Sequence, residues 1–112
     1  MFINTPVSGI NAAFAGVDAV AHNTANINTD EYKAVRTEFV EDKVHGVNTV
    51  YSRNDSAGPQ YFDPHGDLRE MSNVQFESEA VSLMYYQAMS SMGITLLRVN
   101  DEMTGTLVDI PA

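Results

Sequence analysis

The chain has no cysteine and no tryptophan, and its six lysines and arginines stand against fifteen aspartates and glutamates. Without cysteine there is no disulfide framework, no thiolate nucleophile and no zinc knuckle. A net charge of −9, with the few cations scattered along the chain, leaves no phosphate-binding patch and excludes nucleic acid as an expected partner. The same balance opposes docking on an anionic membrane surface. No apolar run exceeds four residues (Leu83 to Tyr86 is one), so direct membrane insertion is not expected. The first residues lack a basic stretch leading into an apolar core, and no cleaved secretory signal is expected. Acidity here has a plainer use, which is to keep an association-prone chain in solution.

What is present is helical periodicity at both ends of a chain one domain long. Thr5-Pro6 is a helix-start signal, with Thr as the cap and Pro pre-set for the first helical position. From there Ile3, Val7, Ile10, Phe14, Val17, Ala21 and Thr24 recur in steps of 4 and 3, a heptad seam. The second stripe is longer: Val81, Tyr85, Ala88, Met92, Leu96, Val99, Met103, Leu107 and Ile110. Its steps of 4, 3, 4 and again 4, 3, 4 make an eleven-residue repeat, close to the pitch of an undistorted helix. No proline lies between Phe76 and Ile110, so nothing breaks a helix of roughly 34 residues and about 50 Å. Heptad and eleven-residue stripes drift differently, so the two helices cannot mesh along their full length, and the uncovered part predicts self-assembly.

Between them, alternation at Val35, Thr37 and Phe39, and again at Val47, Thr49 and Tyr51 after His45-Gly46, predicts a β-hairpin. Asn54 to Pro59 and Asp63-Pro64-His65-Gly66-Asp67 carry turn chemistry around Tyr61-Phe62, and an irregular, mobile segment is expected there. Ser72 with Gln75 predicts a capping box that opens the second long helix. The resulting expectation is a mainly α fold, with long N- and C-terminal helices packed antiparallel in a coiled-coil-like pair. Residues 1–33 and 73–112 form that helical part, and residues 34–72 a small β-hairpin and loop insert.

Few residues suggest chemistry. Asp63, His65 and Asp67 alternate in a turn and could ligate a divalent metal, the basis for a metal-dependent hydrolase. The run lacks the further ligands and the glycine spacing of an EF-hand, and a solvated loop is the plainer reading. His22 has only Asp18 at helical spacing and reads as a surface residue. Asp101 and Glu102 are adjacent and point about 100° apart, which does not make an acid–base pair. No serine elbow, phosphate-cradling glycine loop or HExxH is present. The methionines Met84, Met89, Met92 and Met103 read as fillers of a helix-packing seam. An enzyme is not expected, nor any cofactor.

Several segments resemble a known family. Ser8-Gly9-Ile10-Asn11-Ala12-Ala13, followed by Asn23-Thr24-Ala25-Asn26-Ile27-Asn28-Thr29 and Tyr32-Lys33, is similar to the N-terminal signature of bacterial flagellar rod and hook proteins. Asn73-Val74 with Glu79-Ala80-Val81, and Asp101 to Leu107, resemble the opening and close of that family's C-terminal helix. Val47 through Asp63-Pro64 is similar to the middle of its proximal-rod member. The resemblance implies a structural subunit of the flagellar basal-body rod that leaves the cell through the flagellar export apparatus without a cleaved signal. It implies assembly with itself and with other rod and axial proteins through the terminal helices. The assembly residues would be Val7, Ile10, Phe14, Val17, Ala21, Asn26, Asn28 and Tyr32 on the N-terminal side. On the C-terminal side they would be Val81, Tyr85, Met92, Leu96, Val99, Met103, Leu107 and Ile110. A second reading keeps the helices but makes the chain a soluble adaptor or regulator of flagellar assembly.

The chain departs from the family pattern at three places. Asp30-Glu31 replaces a Pro-Gly turn, which predicts a first helix running on to about Lys33. Ala88 to Gly93 replaces an aromatic and asparagine block, and a glycine inside a helix costs about 1 kcal/mol relative to alanine. The strand before the last helix is shortened to Leu68-Arg69-Glu70-Met71.

Overall fold

A computed structural model describes residues 4–44 and 46–109. Helix α1 (Asn4–Ala25) is followed by an antiparallel hairpin of β1 (Val35–Glu41) and β2 (Val47–Arg53). A second, shorter hairpin of β3 (Gln60–Phe62) and β4 (Leu68–Glu70) leads into helix α2 (Phe76–Asp109). About 52% helix and 20% strand in two helices and two hairpins make this an α+β fold. The expectation of a mainly α chain is therefore corrected. The elements form a rod whose extents are 82 × 25 × 14 Å.

Two local causes account for the difference. Helix α1 does not run on to Lys33. The Asn26 N–H already turns back to the His22 and Asn23 carbonyls, both at 3.2 Å. Its side-chain Nδ2 caps the His22 carbonyl at 2.8 Å, and Thr29 Oγ1 closes the turn on Asn26 Oδ1 at 3.1 Å. Asparagine competes with the helix in this way because its amide satisfies backbone groups locally. Glu31 then takes a left-handed φ of 64°, a sharp change of direction.

The second cause lies between Asn54 and Asp67, in place of the expected irregular segment. Asp63 folds this stretch into a hairpin turn: its Oδ1 accepts the His65 and Asp67 N–H groups, both at 2.9 Å. Its own N–H donates to the Asp67 carbonyl at 2.9 Å. Gly66, at φ 86°, supplies the positive angle such a turn needs. Tyr61 Oη donates to Asp30 at 2.6 Å, and Lys33 Nζ pairs with Glu70, which fastens this hairpin to the chain leaving α1.

The β1–β2 hairpin lies along α1 and is pinned to it at both ends. At one end Asn23 bonds Val35; at the other, Ser8 Oγ accepts the Val47 N–H at 3.1 Å. Ser8 to Asn23 spans about 22 Å of helix, and a seven-residue strand about 23 Å, so the two match without strain. The strands pair in register from Val35 with Arg53 to Glu41 with Val47.

Helices α1 and α2 run antiparallel, since Asn23 meets Glu79, Gly16 meets Tyr86, and Ile10 meets Gly93. Small residues make this seam. Ala12, Ala13, Ala19 and Val20 are buried on α1, and Gly93 is buried on α2. A Cβ at Gly16 would come within 2.5 Å of the Tyr86 ring, and one at Gly93 within 2.5 Å of Ile10. The departure at Ala88 to Gly93 thus has a local use, because the glycine lets α1 approach.

Asn4 stands opposite about residue 98, which leaves roughly 16 Å of α2 beyond the end of α1. The Ser72–Gln75 capping box does not form. Ser72 Oγ instead donates to the Ile27 carbonyl, and α2 opens at Phe76 with Glu77 and Glu79 in its first turn, where the helix dipole favours them.

Overpacking the seam tests this arrangement. Gly93→Leu is expected to lower stability by about 1–3 kcal/mol in chemical denaturation followed by circular dichroism. Gly105→Ala, on the open overhang with nothing within 4 Å of an added Cβ, is expected to be neutral or slightly stabilising.

Candidate assembly surface and its polar anchor

Among the described residues, the largest fully buried side chains are Glu79 and Asn23, both polar. The buried apolar residues are small: four alanines, Val20 and Val74. Meanwhile twenty large apolar or tyrosine side chains are exposed. A monomer ordinarily buries its large apolar groups and pairs its few buried polar ones. Here the polar groups are inside and the large apolar groups outside.

The polar anchor is built from three elements. Asn23, in the last turns of α1, uses its amide as a strand edge: Oδ1 accepts the Val35 N–H and Nδ2 donates to the Val35 carbonyl, both at 2.8 Å. The same Nδ2 also reaches both Glu79 carboxylate oxygens at 3.2 Å. Tyr32 Oη donates to Asn23 Oδ1 at 3.1 Å, and Arg36 approaches Glu79 at 3.4 Å. Asn73 holds the preceding residue of the chain by its N–H alone: its Oδ1 accepts the Ala34 N–H at 2.7 Å, and its Nδ2 donates to the Asn54 and Ser56 carbonyls. Two asparagines therefore hold the chain where it enters β1. Burial, helped by the Glu79 charge, pushes the Tyr32 hydroxyl above its ordinary value. Tyr86 is also raised, chiefly by burial.

The outer surface carries the stripe residues. Phe14 is 55% exposed and Val7 37%, while Ile10 and Val17 are half-buried and Ala21 is exposed. On α2, Val81, Tyr85, Met92, Leu96, Val99, Met103 and Leu107 are all exposed, between 43% and 67%. The α2 stripe therefore does not form the seam between the helices, and of the α1 stripe Ile10 alone is seen to meet α2, at Gly93, so the coiled-coil-like pairing expected of the two stripes is corrected. The closest approaches between the helices are instead at Gly16 and Gly93, where the missing side chain makes room for Tyr86 and Ile10. Ile110 and Ile3 lie outside the described residues, as does His45 of the expected hairpin turn.

Of the remaining expected assembly residues, Asn26 is half-buried and caps the end of α1, Tyr32 is half-buried and joins the anchor, and Asn28 is exposed. From Ala80 to Leu97, about 27 Å of helix, α2 carries no charged residue, and α1 carries only Asp18 and His22. Among the described residues, no helix is long and apolar enough to cross a membrane.

Asp63, His65 and Asp67 do not converge on a common point. Asp63 spends one oxygen on the turn and the other on Arg69 at 3.2 Å, and its carboxyl is held below the usual range, first by the Asp67 N–H. Among the described residues, no group of three His, Cys, Asp or Glu side chains is arranged to hold a metal ion.

Sequence reasoning meets Ser8, Asn23, Asn73 and Glu79 only as motif residues of the resemblance and misses that they pin the elements together. Asn23 stands in the Asn-rich motif and reads as helix-end chemistry, and Glu79 is 56 residues away, with no local pattern linking them. Apart from those motifs, the signal is an acidic residue placed on the face of α2 opposite its apolar stripe.

No protein-family model matches this chain, and no curated protein matches it. The likeness to flagellar axial proteins therefore stands on the motif residues alone.

Two measurements check the anchor. Asn23→Ala leaves the Val35 N–H and carbonyl, Tyr32 Oη and Glu79 short of partners, and is expected to cost at least about 3 kcal/mol in denaturant unfolding. Alkaline titration tests Tyr32 and Tyr86. Their raised folded values mean that stability is full below about pH 10 and falls as pH rises through the folded values. Absorbance at 295 nm, read as the difference from the Tyr32→Phe and Tyr86→Phe variants, is expected to show these two tyrosines ionising above about pH 10 together with loss of helix; their ionisation near pH 10 with the fold intact would contradict the burial.

Proposed function

We propose that the chain is a non-enzymatic structural subunit of the bacterial flagellar basal-body rod, assembling with itself and other axial proteins through its helices. The observation that carries the reading is the uncovered apolar face on both helices, continuous with an overhang that the chain's own α1 does not reach. Contiguous apolar patches of more than a few hundred Å² are uncommon on soluble monomers and mark interaction sites. Each large side chain buried in a partner contributes about 1.5–3 kcal/mol, so three or four together favour association strongly. The motifs at Ser8 to Ala13, Asn23 to Thr29 and Asp101 to Leu107 supply the rod and the export route. An axial subunit needs no catalytic group, and the polar residues of the anchor all have structural partners.

The test separates folding from assembly. Phe14 and Leu96 are each 55% exposed, so an aspartate at either place has water in the monomer and none in a dry contact. Phe14→Asp and Leu96→Asp are expected to keep the circular dichroism spectrum and weaken association by at least about tenfold, read by light scattering. Retained assembly of both variants would put the contact on another face. A wild-type chain that stays a compact monomer in concentrated sedimentation would overturn self-assembly altogether. For the rod itself, electron micrographs of cells lacking the chain are expected to show flagella that stop at the inner-membrane ring.

A further inference from the structure

The described methionines lie outside the core. Met84, Met92 and Met103 on α2 are between 50% and 66% exposed, Met71 is exposed as well, and Met89 is half-buried. Met92 and Met103 belong to the apolar stripe, with Leu96 and Val99 between them. They stand about 16 Å apart along the helix and are turned by only about 20° from each other. Met84 precedes Met92 by eight residues and is turned about 80° from it. We propose that Met84, Met92 and Met103 form a modification site on the assembly surface, where oxidation of their thioethers to sulfoxides blocks association and leaves the monomer folded.

The chain has no cysteine and no tryptophan. Its thioethers are therefore the groups that a two-electron oxidant such as hydrogen peroxide attacks most readily. The sulfur lone pair attacks one peroxide oxygen and the O–O bond breaks. That oxygen stays on sulfur, and the other leaves as water with both protons. Sulfur is oxidised by two electrons and the peroxide is reduced by two. Reversal takes a methionine sulfoxide reductase and a dithiol: two thiols become a disulfide, and the oxygen leaves as water. The chain holds no thiol of its own, so the reductant comes from outside it.

Position gives the oxidation its effect. A thioether is apolar and flexible, suited to filling an irregular contact. A sulfoxide carries a polar oxygen, which keeps its water on an exposed helix face and loses it in a dry contact. From Ala80 to Leu97 the helix offers no charged side chain to compensate that oxygen. The fold does not depend on these methionines. Helices α1 and α2 approach most closely at Gly16 and Gly93 and are tied by Asn23 and Glu79, none of which carries sulfur. The loss of association rests on the self-assembly proposed above; the order of oxidation and the survival of the fold do not.

The test treats the dilute full chain with hydrogen peroxide and follows it by peptide mass mapping, circular dichroism and light scattering. One added oxygen is expected at each of Met84, Met92 and Met103 before Met89, with the dichroism spectrum kept. Association is expected to weaken by at least about tenfold, and sulfoxide reductase with dithiothreitol is expected to restore it. The combined Met84→Leu, Met92→Leu and Met103→Leu variant keeps the apolar volume. It is expected to associate as the wild type does and to ignore peroxide, although Met71 and Met89 still oxidise. Loss of helix on oxidation, or a triple variant as sensitive as the wild type, would overturn the proposal. Undiminished association of a chain mapped as sulfoxide at all three places would remove the block alone. An unoxidised wild type that never associates would remove the self-assembly reading and the block with it.

Discussion

One asparagine side chain ties the three main elements together. Asn23 pairs both backbone groups of Val35 as a neighbouring strand would, and it also meets the buried carboxylate of Glu79. This fixes the angle at which β1 leaves the end of α1 and the register at which α2 returns along it. Each of these bonds is worth only about 1 kcal/mol net, but breaking one partner leaves several buried groups unpaired at once. The geometry of the rest follows. With residue 79 held opposite residue 23, the antiparallel alignment places Tyr86 over Gly16 and Gly93 against Ile10, and it leaves the last turns of α2 uncovered.

Such an anchor frees the large apolar side chains from the task of holding the monomer together. Helix pairing through alanine and glycine buries little apolar area, and polar pairing at the Asn23 end supplies specificity in place of bulk. Phe14, Tyr85, Met92, Leu96 and Leu107 then remain outside, on helix faces nearly free of charge. Acidic groups are concentrated elsewhere, on the strands, on the turns and at the ends of α2. On the proposed reading, the division suits a chain that stays dispersed until it meets its neighbours and then buries a long, dry face against them.

Periodicity makes the positions of the helices and the first hairpin readable. The two-residue alternation at Val35 to Phe39 and Val47 to Tyr51 coincides with the strands that pair. What the periods do not reveal is which face each helix turns toward its own chain. The apolar stripes are the obvious choice, yet the closest approaches are at Gly16 against Tyr86 and Gly93 against Ile10, because close approach depends on what is missing from a side chain. The end of α1 is obscured by the loss of Pro-Gly at Asp30-Glu31, which suggests a longer helix, while Asn26 has already stopped it four residues earlier. The second hairpin is hidden for a similar reason: Asp63 reads as turn chemistry alone, and only its bonds to His65, Asp67 and Arg69 show that it closes strands. The anchor joins residues 56 positions apart, and no local pattern reports that pairing.

If the exposed face of α2, and above all its overhang beyond α1, is covered only by other chains, its protection must depend on concentration. Hydrogen–deuterium exchange read by mass spectrometry, on the same protein dilute and concentrated, addresses this most directly. Rapid exchange is predicted in residues 98–109 of the dilute chain and strong protection of the same segment at high concentration, with the anchor around Asn23 protected in both. Overhang protection that is the same at every concentration, whether high or low, would contradict it.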